Sequence, residues 1–217
     1  MDGRDSRKVI LDRLRSARLF SGSHSQPAAQ PHRLSPDEFL PAIEEHPTLL
    51  FARNLTRAGG KFAFCSDRRE LILALRILWH EEQWVSVSCA DPFAREVLDA
   101  AGITYLPDPE DLESAEAAVT GCESLIARTG SVLVSSAQGA GRRVFGHTPV
   151  HVVIAQTSQI ELEIHHALDR LKSTRERMPS QVSLITGPSR TADIEKTLVM
   201  GAHGPANLFV FLEENGT

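Results

Sequence analysis

The side chains best suited to holding an anion lie within residues 186–195, in the stretch TGPSRTADIE. Ser189 and Thr191 offer hydroxyl groups, Arg190 offers a planar fork of N–H donors, and Asp193 returns a negative charge close by. The apolar run before this stretch predicts a buried strand that ends in a turn. If that strand belongs to a parallel sheet, the turn leaves its carboxyl end, where open α/β sheets bind their ligands. We therefore predict an anion-binding loop here.

A structural interpretation of the same residues stays open. Gly-Pro-Ser is ordinary turn chemistry, and Ser189 or Thr191 would also serve to cap a following helix. Arg190 would then pair with Asp193 or Glu195 instead of with a ligand. The residue pattern alone does not decide between the two interpretations.

Two other glycine-rich segments carry polar side chains of the same kind. Gly139 and Gly141 would let the backbone approach a ligand closely, and the neighbouring Arg142 can pair with a carboxylate or a phosphate. His203 lies in a turn bounded by glycines, including Gly204, which is a place where a titratable group can face a pocket. A solvated turn in the first case and a capped loop in the second remain as alternatives.

The alternation of apolar runs predicts an α/β fold. Between residues 61 and 106 strands alternate with helices, which indicates right-handed βαβ units and a mainly parallel, Rossmann-like sheet. No GxGxxG motif follows a strand, so no dinucleotide is inferred. The predicted strands are 62–65, 85–89, 103–106, 150–155, 182–185 and 208–212, with closely spaced hairpin strands between 118 and 135. The predicted helices begin at residues 35, 49, 67 and 91, and at a capping-box pattern at residue 158.

The N-terminal residues are predicted to form an extension that precedes the α/β domain. Residues 6–20 predict a short amphipathic helix, and residues 21–32 are a polar linker rich in helix breakers. We predict an arm over residues 1–34 and one α/β domain over residues 35–217. The arm would pack on a partner or on a second copy of the chain, which makes a homo-oligomer possible; the alternative is that it frays.

Composition narrows the class of protein. The net charge of −5, from 23 basic and 28 acidic residues, argues against a nucleic-acid surface. No apolar run is long enough to span a membrane, and the first residues lack the apolar core of a signal peptide, so we expect a cytoplasmic protein. Cys65, Cys89 and Cys122 are scattered without CxxC spacing, which predicts no disulfide framework, no metal site and no iron–sulfur cluster in this chain.

The C-terminal motifs resemble those of a known family. The stretch at 186–195, followed by LVMGAHGP at 198–205, is similar to the lactate utilization protein C family, also called LutC/YkgG or LUD-domain proteins. The resemblance covers about residues 35–213 and implies a three-layer α/β fold like that of the NagB/RpiA/CoA-transferase-like group. One position departs from it: many members have glutamate where this chain has Arg128, so a carboxylate nucleophile cannot be assigned there.

The resemblance implies participation in the oxidation of L-lactate to pyruvate, together with two partner proteins that carry the iron–sulfur clusters. It names no cofactor and no established catalytic residue. From their chemistry we predict His203 and Asp193 as acid–base candidates. The predicted ligand-binding residues, for a small anionic ligand at the carboxyl edge of the sheet, are Thr129, Gly130, Gly139, Gly141, Arg142, Gly187, Ser189, Arg190, Thr191 and Gly204.

Two other functions compete with this one. The first is a stand-alone enzyme of the phosphosugar-isomerase or CoA/nucleotide-dependent kind, with Asp193, Glu123 or Glu195 as acid or base. Glu123 also reads as a plain turn residue. The second is a non-catalytic structural or regulatory module that docks partners through its N-terminal arm.

Overall fold

The computed structural model describes residues 40–107, 115–138, 148–194, 197–200 and 204–215; over 190–194 and 197–200 it describes the backbone only. Contacts between Cα atoms divide the chain into residues 1–42 and 43–217. All the elements described below lie in the second unit. The predicted helix over 6–20 and the predicted boundary after residue 34 lie outside the described residues.

Within these residues there are four α-helices and eleven β-strands. The helices are α1 (Pro47–Arg57), α2 (Arg68–Glu82), α3 (Pro92–Ala101) and α4 (Ile164–Thr174). The strands are β1 (Lys61–Cys65), β2 (Val87–Ser88), β3 (Ala117–Thr120), β4 (Ser124–Ile126), β5 (Ser131–Ser135), β6 (Val150–Gln156), β7 (Ile160–Glu161), β8 (Val182–Ile185), β9 (Arg190–Ile194), β10 (Thr197–Met200) and β11 (Asn207–Glu213).

The central element is a five-stranded parallel sheet in the order β1-β11-β6-β3-β2. A single parallel bridge between Ser88 and Leu106 extends it past β2, so the strand predicted at 103–106 is reduced to one bridging residue. The connection from β1 to β2 and the connection from β2 to Leu106 both run toward the same edge of the sheet, the edge formed by β2 and Leu106. Because parallel crossovers are right-handed, α2 and α3 pack on the same face. The predicted α/β fold with a mainly parallel sheet is confirmed.

The other face of the parallel sheet is covered by α1 and by a second sheet, ordered β7-β4-β5-β8. A second core cluster joins them, with Phe51 and Leu55 of α1 packed near Leu125 of β4 and Val210 of β11. Helix α4 closes the far side of the second sheet, where Ala167 joins a smaller cluster. The described part of the second unit is thus layered as α2 and α3, the parallel sheet, α1 with the second sheet, and finally α4.

The ends of the helices follow local chemistry. Asp67 caps α2 by accepting a hydrogen bond from the N–H of Glu70 at 2.8 Å, and Pro47 opens α1 at its first turn. Helix α3 ends at Ala101 and is followed by Gly102, which has a φ of +67°. The helix predicted from residue 35 is not present over residues 40–46, since α1 begins only at Pro47.

Two other sequence predictions are corrected. The capping-box pattern at residue 158 does not begin a long helix: residues Thr157–Gln159 form one 3-10 turn, β7 follows, and α4 starts at Ile164. Strand β8 lies antiparallel to β5 in the second sheet rather than in the parallel sheet. The residues after it form a β-hairpin of β9 and β10, and no helix follows Ser189 in the described residues.

Cys65, Cys89 and Cys122 are all buried and unpaired with one another. Burial raises the pKa of the Cys65 thiol to about 11 and that of Cys89 to about 12, and it raises the pKa of Cys122 as well. In the described residues no helix has the length and apolar character needed to cross a bilayer. The same residues contain no group of three or more His, Cys, Asp and Glu side chains placed to hold a metal ion.

Candidate functional site

The described residues of the predicted anion loop lie at the amino edge of the parallel sheet. The N–H of Ser189 donates to the carbonyl of Pro205 at 2.8 Å, and the N–H of Ala206 donates to the carbonyl of Pro149 at 2.8 Å. Strands β11 and β6 begin immediately after these two prolines. The prediction of a site at the carboxyl edge is therefore wrong for this turn, because it follows a strand of the second sheet.

The turn and the Thr129-Gly130 segment are joined by a chain of hydroxyl groups. Ser131 Oγ donates to Thr129 Oγ1 at 2.7 Å, and it lies 2.7 Å from Thr186 Oγ1. Since the one proton of Ser131 goes to Thr129, Thr186 is the donor in the second contact. Thr186 is exposed whereas Ser131 is buried, so the chain runs from the surface into the protein.

Gly130 and Gly187 both lie against the C-terminal end of α1. A Cβ atom on Gly130, whose φ is +63°, would come within 2.2 Å of the backbone nitrogen of Leu55. On Gly187, with a φ of +73°, it would come within 2.4 Å of the carbonyl oxygen of Ala58. Both glycines are thus required by close backbone packing, whether or not a ligand also approaches them.

The predicted site residues are placed only in part. The structure brings Thr129, Gly130, Gly187, Ser189 and Gly204 to the amino edge. Gly139, Gly141, Arg142 and His203 lie outside the described residues. Arg190, Thr191 and Asp193 have a described backbone, in β9, but no described side chain.

A separate, polar cavity of about 490 Å³ lies at the carboxyl edge of the parallel sheet. Strand β2 leaves this edge into α3, on one face, whereas the neighbouring β3 leads to Cys122 and the second sheet, on the other face. A crevice between two strands whose connections diverge in this way is the usual ligand site of open α/β sheets. Seven of its eleven lining residues are polar or charged: Asp91, Glu123, Gln138, Gln159, Arg170, Thr174 and Arg175.

Asp91 forms one wall of the cavity. Its carboxylate caps α3 by accepting from the N–H of Ala94 at 2.9 Å, and it also accepts from the backbone of Phe93 and Gly121. Burial raises the pKa of this carboxyl, although the three backbone N–H groups act in the opposite direction and Glu123 adds to the rise. The Asp91 side chain therefore joins the start of α3 to the end of β3.

Replacing Asp91 with asparagine is expected to leave the protein at least as stable as the wild type at neutral pH. Asparagine keeps the capping oxygen and removes a buried negative charge. Because the folded-state pKa is raised, the contribution of Asp91 to stability falls as pH rises above its ordinary pKa of 3.8, so the variant should gain stability relative to the wild type over that range. Urea denaturation at several pH values measures the difference.

The control for this prediction is Asp91→Ala, which removes the cap and should cost about 1 kcal/mol. An Asp91→Asn variant as unstable as Asp91→Ala at neutral pH would show that the negative charge itself stabilises the fold.

Glu123 and Arg175 form an ion pair across the cavity. Arg175 Nη2 donates to both carboxylate oxygens of Glu123, at 3.0 and 3.1 Å, and Ser135 Oγ donates to the same carboxylate at 2.5 Å. The Glu123 side chain is 9% exposed and that of Arg175 is 38% exposed. A buried carboxylate is thus held by one cation that reaches it from solvent.

The remaining polar lining residues are held by the second sheet and its connections. Arg170 Nη1 donates to Glu161 at 3.1 Å and also to the carbonyl of Ser158. Gln159 Nε2 donates to the carbonyl of Cys122 at 2.6 Å. Gln138 Oε1 accepts from the N–H of Ser135 at 3.0 Å, which fixes the orientation of its amide.

Sequence reasoning did not find this cavity. From the sequence, Asp91 was predicted only to start a helix, and Glu123 was interpreted as a turn residue or as an alternative acid–base group. No role was predicted for Arg170 or Arg175. The one available signal was the Asp-Pro pair directly after a predicted strand, which places a carboxylate at a strand end.

A larger cavity, of about 700 Å³, lies beside the start of α1 and is lined by apolar residues such as Leu49, Phe62 and Phe64.

His151 lies inside the parallel sheet and is fully buried. Its Nε2 is 2.8 Å from Thr120 Oγ1, and that hydroxyl donates to the carbonyl of Gly121. Nε2 therefore carries the proton and donates to Thr120. Burial lowers the pKa of His151 to about 4, so the ring is neutral at physiological pH.

Fold and cavity together define a Rossmann-like α/β protein with a polar crevice at the switch point of its parallel sheet. The comparisons with known proteins give the family. Residues 109–212 match the family model of the LUD domain. This part of the chain is therefore similar to the LUD domain, and the resemblance predicted from the C-terminal motifs is confirmed.

Relatives match over less than half of the chain. An uncharacterized protein of Neisseria meningitidis is 40% identical over 95 residues, which are 44% of this chain and 41% of that protein. Lactate utilization protein C of Halalkalibacterium halodurans is 36% identical over 104 residues, which are 44% of this chain and 43% of that protein. The match to these relatives thus spans less than half of their length.

A solved structure supports the fold over a larger part of the chain. The crystal structure of a DUF162 family protein from Deinococcus radiodurans superposes with a TM-score of 0.57 at 20% identity. The superposition covers 80% of this chain and 99% of that one. At this identity it shows a shared fold only.

Proposed function

We propose that this protein takes part in lactate utilization, as a subunit in the oxidation of L-lactate to pyruvate. The observations that carry the proposal are the LUD-domain match over residues 109–212 and the similarity, at 32–36% identity, to relatives named lactate utilization protein C. The match includes β3 to β6, α4 and the second sheet, which are the elements that build most of both candidate sites.

The iron–sulfur clusters of this reaction would belong to partner proteins. Cysteine binds a cluster as the thiolate, and the three cysteines of this chain are buried with raised thiol pKa values. This supports a subunit that works beside iron–sulfur proteins rather than carrying a cluster itself.

The chain's own role would be to bind a small anionic ligand near the amino edge of the sheet. Ser189, Arg190 and Thr191 would supply donors, with Arg142 as a further cation. The hydrogen bond from Ser189 to Pro205 supports this arrangement, because it brings the turn beside the segment that contains His203. His203 would accept a proton and Asp193 would assist it.

Growth on L-lactate tests the proposal. In the native host, deletion of this chain should abolish growth on L-lactate, and the wild-type chain should restore it. Arg190→Ala should fail to restore growth, because it removes the cation that holds the anion, while the exposed Arg177→Ala should restore it fully.

Purification from lactate-grown cells provides the second measurement. Iron–sulfur proteins should co-purify with the tagged wild-type chain. Normal growth of the deletion strain on L-lactate, together with no co-purifying iron–sulfur protein, would rule the proposal out.

A further inference from the structure

The cavity at the carboxyl edge contains hydrogen-bond donors that nothing in the described part of the chain uses. Gln138 is 9% exposed, and its Oε1 is bonded to Ser135 while its Nε2 has no partner among the described residues. Within the same residues Arg175 bonds only through Nη2 and Arg170 only through Nη1. Each guanidinium has five N–H donors, so several remain for a ligand.

The acceptors of the cavity, in contrast, are already engaged. Both oxygens of Glu123 accept from Arg175, and one of them also accepts from Ser135. Asp91 accepts from three backbone N–H groups. A ligand that complements unused donors beside engaged acceptors must itself present acceptor oxygens.

The charges of the cavity argue against more than one negative charge on that ligand. Arg175 is paired with Glu123 and Arg170 with Glu161, and Asp91 adds a further carboxyl group. A dianion such as phosphate would bring two charges to a site with no excess of cations. Helix α3 does not supply a phosphate site either, because Asp91 already accepts from the N–H groups of its first turn.

We propose that this cavity is a binding site for a small monocarboxylate, whose oxygens accept hydrogen bonds from Arg175, Arg170 and the amide of Gln138. The incoming carboxylate competes with Glu123 for the Arg175 guanidinium. The site is separate from the amino-edge site of the proposed function and does not depend on it.

Titration calorimetry of the full chain with pyruvate as the probe tests the proposal. The wild type should bind pyruvate at a single site. Arg175→Gln removes a charged donor and should weaken binding about tenfold or more. Gln138→Glu keeps the oxygen that accepts from Ser135 but replaces the free donor with a negative charge, and it should abolish binding.

Glu123→Gln is the one substitution in this set that is expected to strengthen pyruvate binding. It removes the competitor for Arg175, so pyruvate should bind more tightly than to the wild type. If substitutions acted only by disturbing the structure of the cavity, Glu123→Gln would weaken binding as Arg175→Gln does. Arg177→Gln is the matched control, because it makes the same charge change on the same connection without lining the cavity, and it should leave binding unchanged. Circular dichroism should show that each variant is folded.

Three results would overturn the proposal. The first is no binding of pyruvate by the folded wild type at millimolar concentrations. The second is binding that survives in both Arg175→Gln and Gln138→Glu, or that is lost in Arg190→Ala instead, which would locate it at the amino edge. The third is displacement of pyruvate by equimolar inorganic phosphate, which would show a site for dianions.

Discussion

Replacing Gly130 with alanine is expected to lower the free energy of unfolding by about 2–5 kcal/mol. A left-handed backbone, here with a φ of +63°, costs a non-glycine residue about 1–2 kcal/mol. In addition, the new methyl group would come within 2.2 Å of the Leu55 nitrogen, and its neighbours there are backbone atoms of α1 that cannot rotate away. Forcing apart packed elements typically costs about 1–3 kcal/mol more.

Gly102→Ala is the matched control for this prediction. Gly102 has nearly the same φ, +67°, but a Cβ atom there would have no neighbour within 4 Å. It should therefore show only the backbone cost of about 1–2 kcal/mol. Urea denaturation of both variants gives the comparison, and equal losses would contradict the packing argument. If Gly130→Ala is no less stable than Gly102→Ala yet fails to support growth on L-lactate, Gly130 acts on a ligand instead.

Acidification from pH 6.5 to pH 4 is expected to cost about 3 kcal/mol of stability through His151 alone. The folded state holds the pKa of this ring near 4, whereas in the unfolded chain it returns to 6.5. Below pH 6.5 the unfolded chain therefore binds a proton that the folded chain does not, and stability falls as pH decreases. The contribution is fully present above pH 6.5 and is lost as pH falls to 4.

His151→Gln isolates this effect from the titration of the carboxylates. Glutamine keeps an N–H donor for Thr120 but does not titrate, so the stability difference between wild type and variant should change with pH only between about 6.5 and 4. Chemical denaturation at intervals across that range measures it. A difference that stays constant with pH would show that the pKa of His151 is the same in the folded and unfolded states, which would contradict its burial without a charge partner.

The sequence was a good guide to the parallel sheet and a poor guide to the second one. The alternation of strands and helices up to residue 106 reflects local periodicity, and β6 and β11 are continuous apolar runs that only a doubly covered sheet accommodates. The sequence of β8 is a similar, mostly apolar run. Nothing in its residues tells which sheet it joins, because that depends on pairing with β5, about fifty residues away.

The same limit explains why the cavity was missed. Arg175 and Glu123 are 52 residues apart, and the pairing of Arg170 with Glu161 is visible only once β7 is known to separate the two. Capping chemistry was easier to predict: Asp91-Pro92 begins α3 as its local sequence requires. The capping-box pattern at residue 158 misled, because the reciprocal pair of hydrogen bonds joins Gln156 and Gln159 instead and closes only a 3-10 turn.

The burial of the three cysteines has a practical consequence. At neutral pH a thiol whose pKa is raised to about 11 or 12 is almost wholly protonated, and none of the three is open to solvent. An alkylating reagent such as iodoacetamide therefore modifies Cys65, Cys89 or Cys122 only in molecules that have opened. Because Cys89 lies in the core cluster beside α3 and Cys122 in the one beside α1, mass spectrometry of the alkylated peptides would time the opening of each side of the sheet separately.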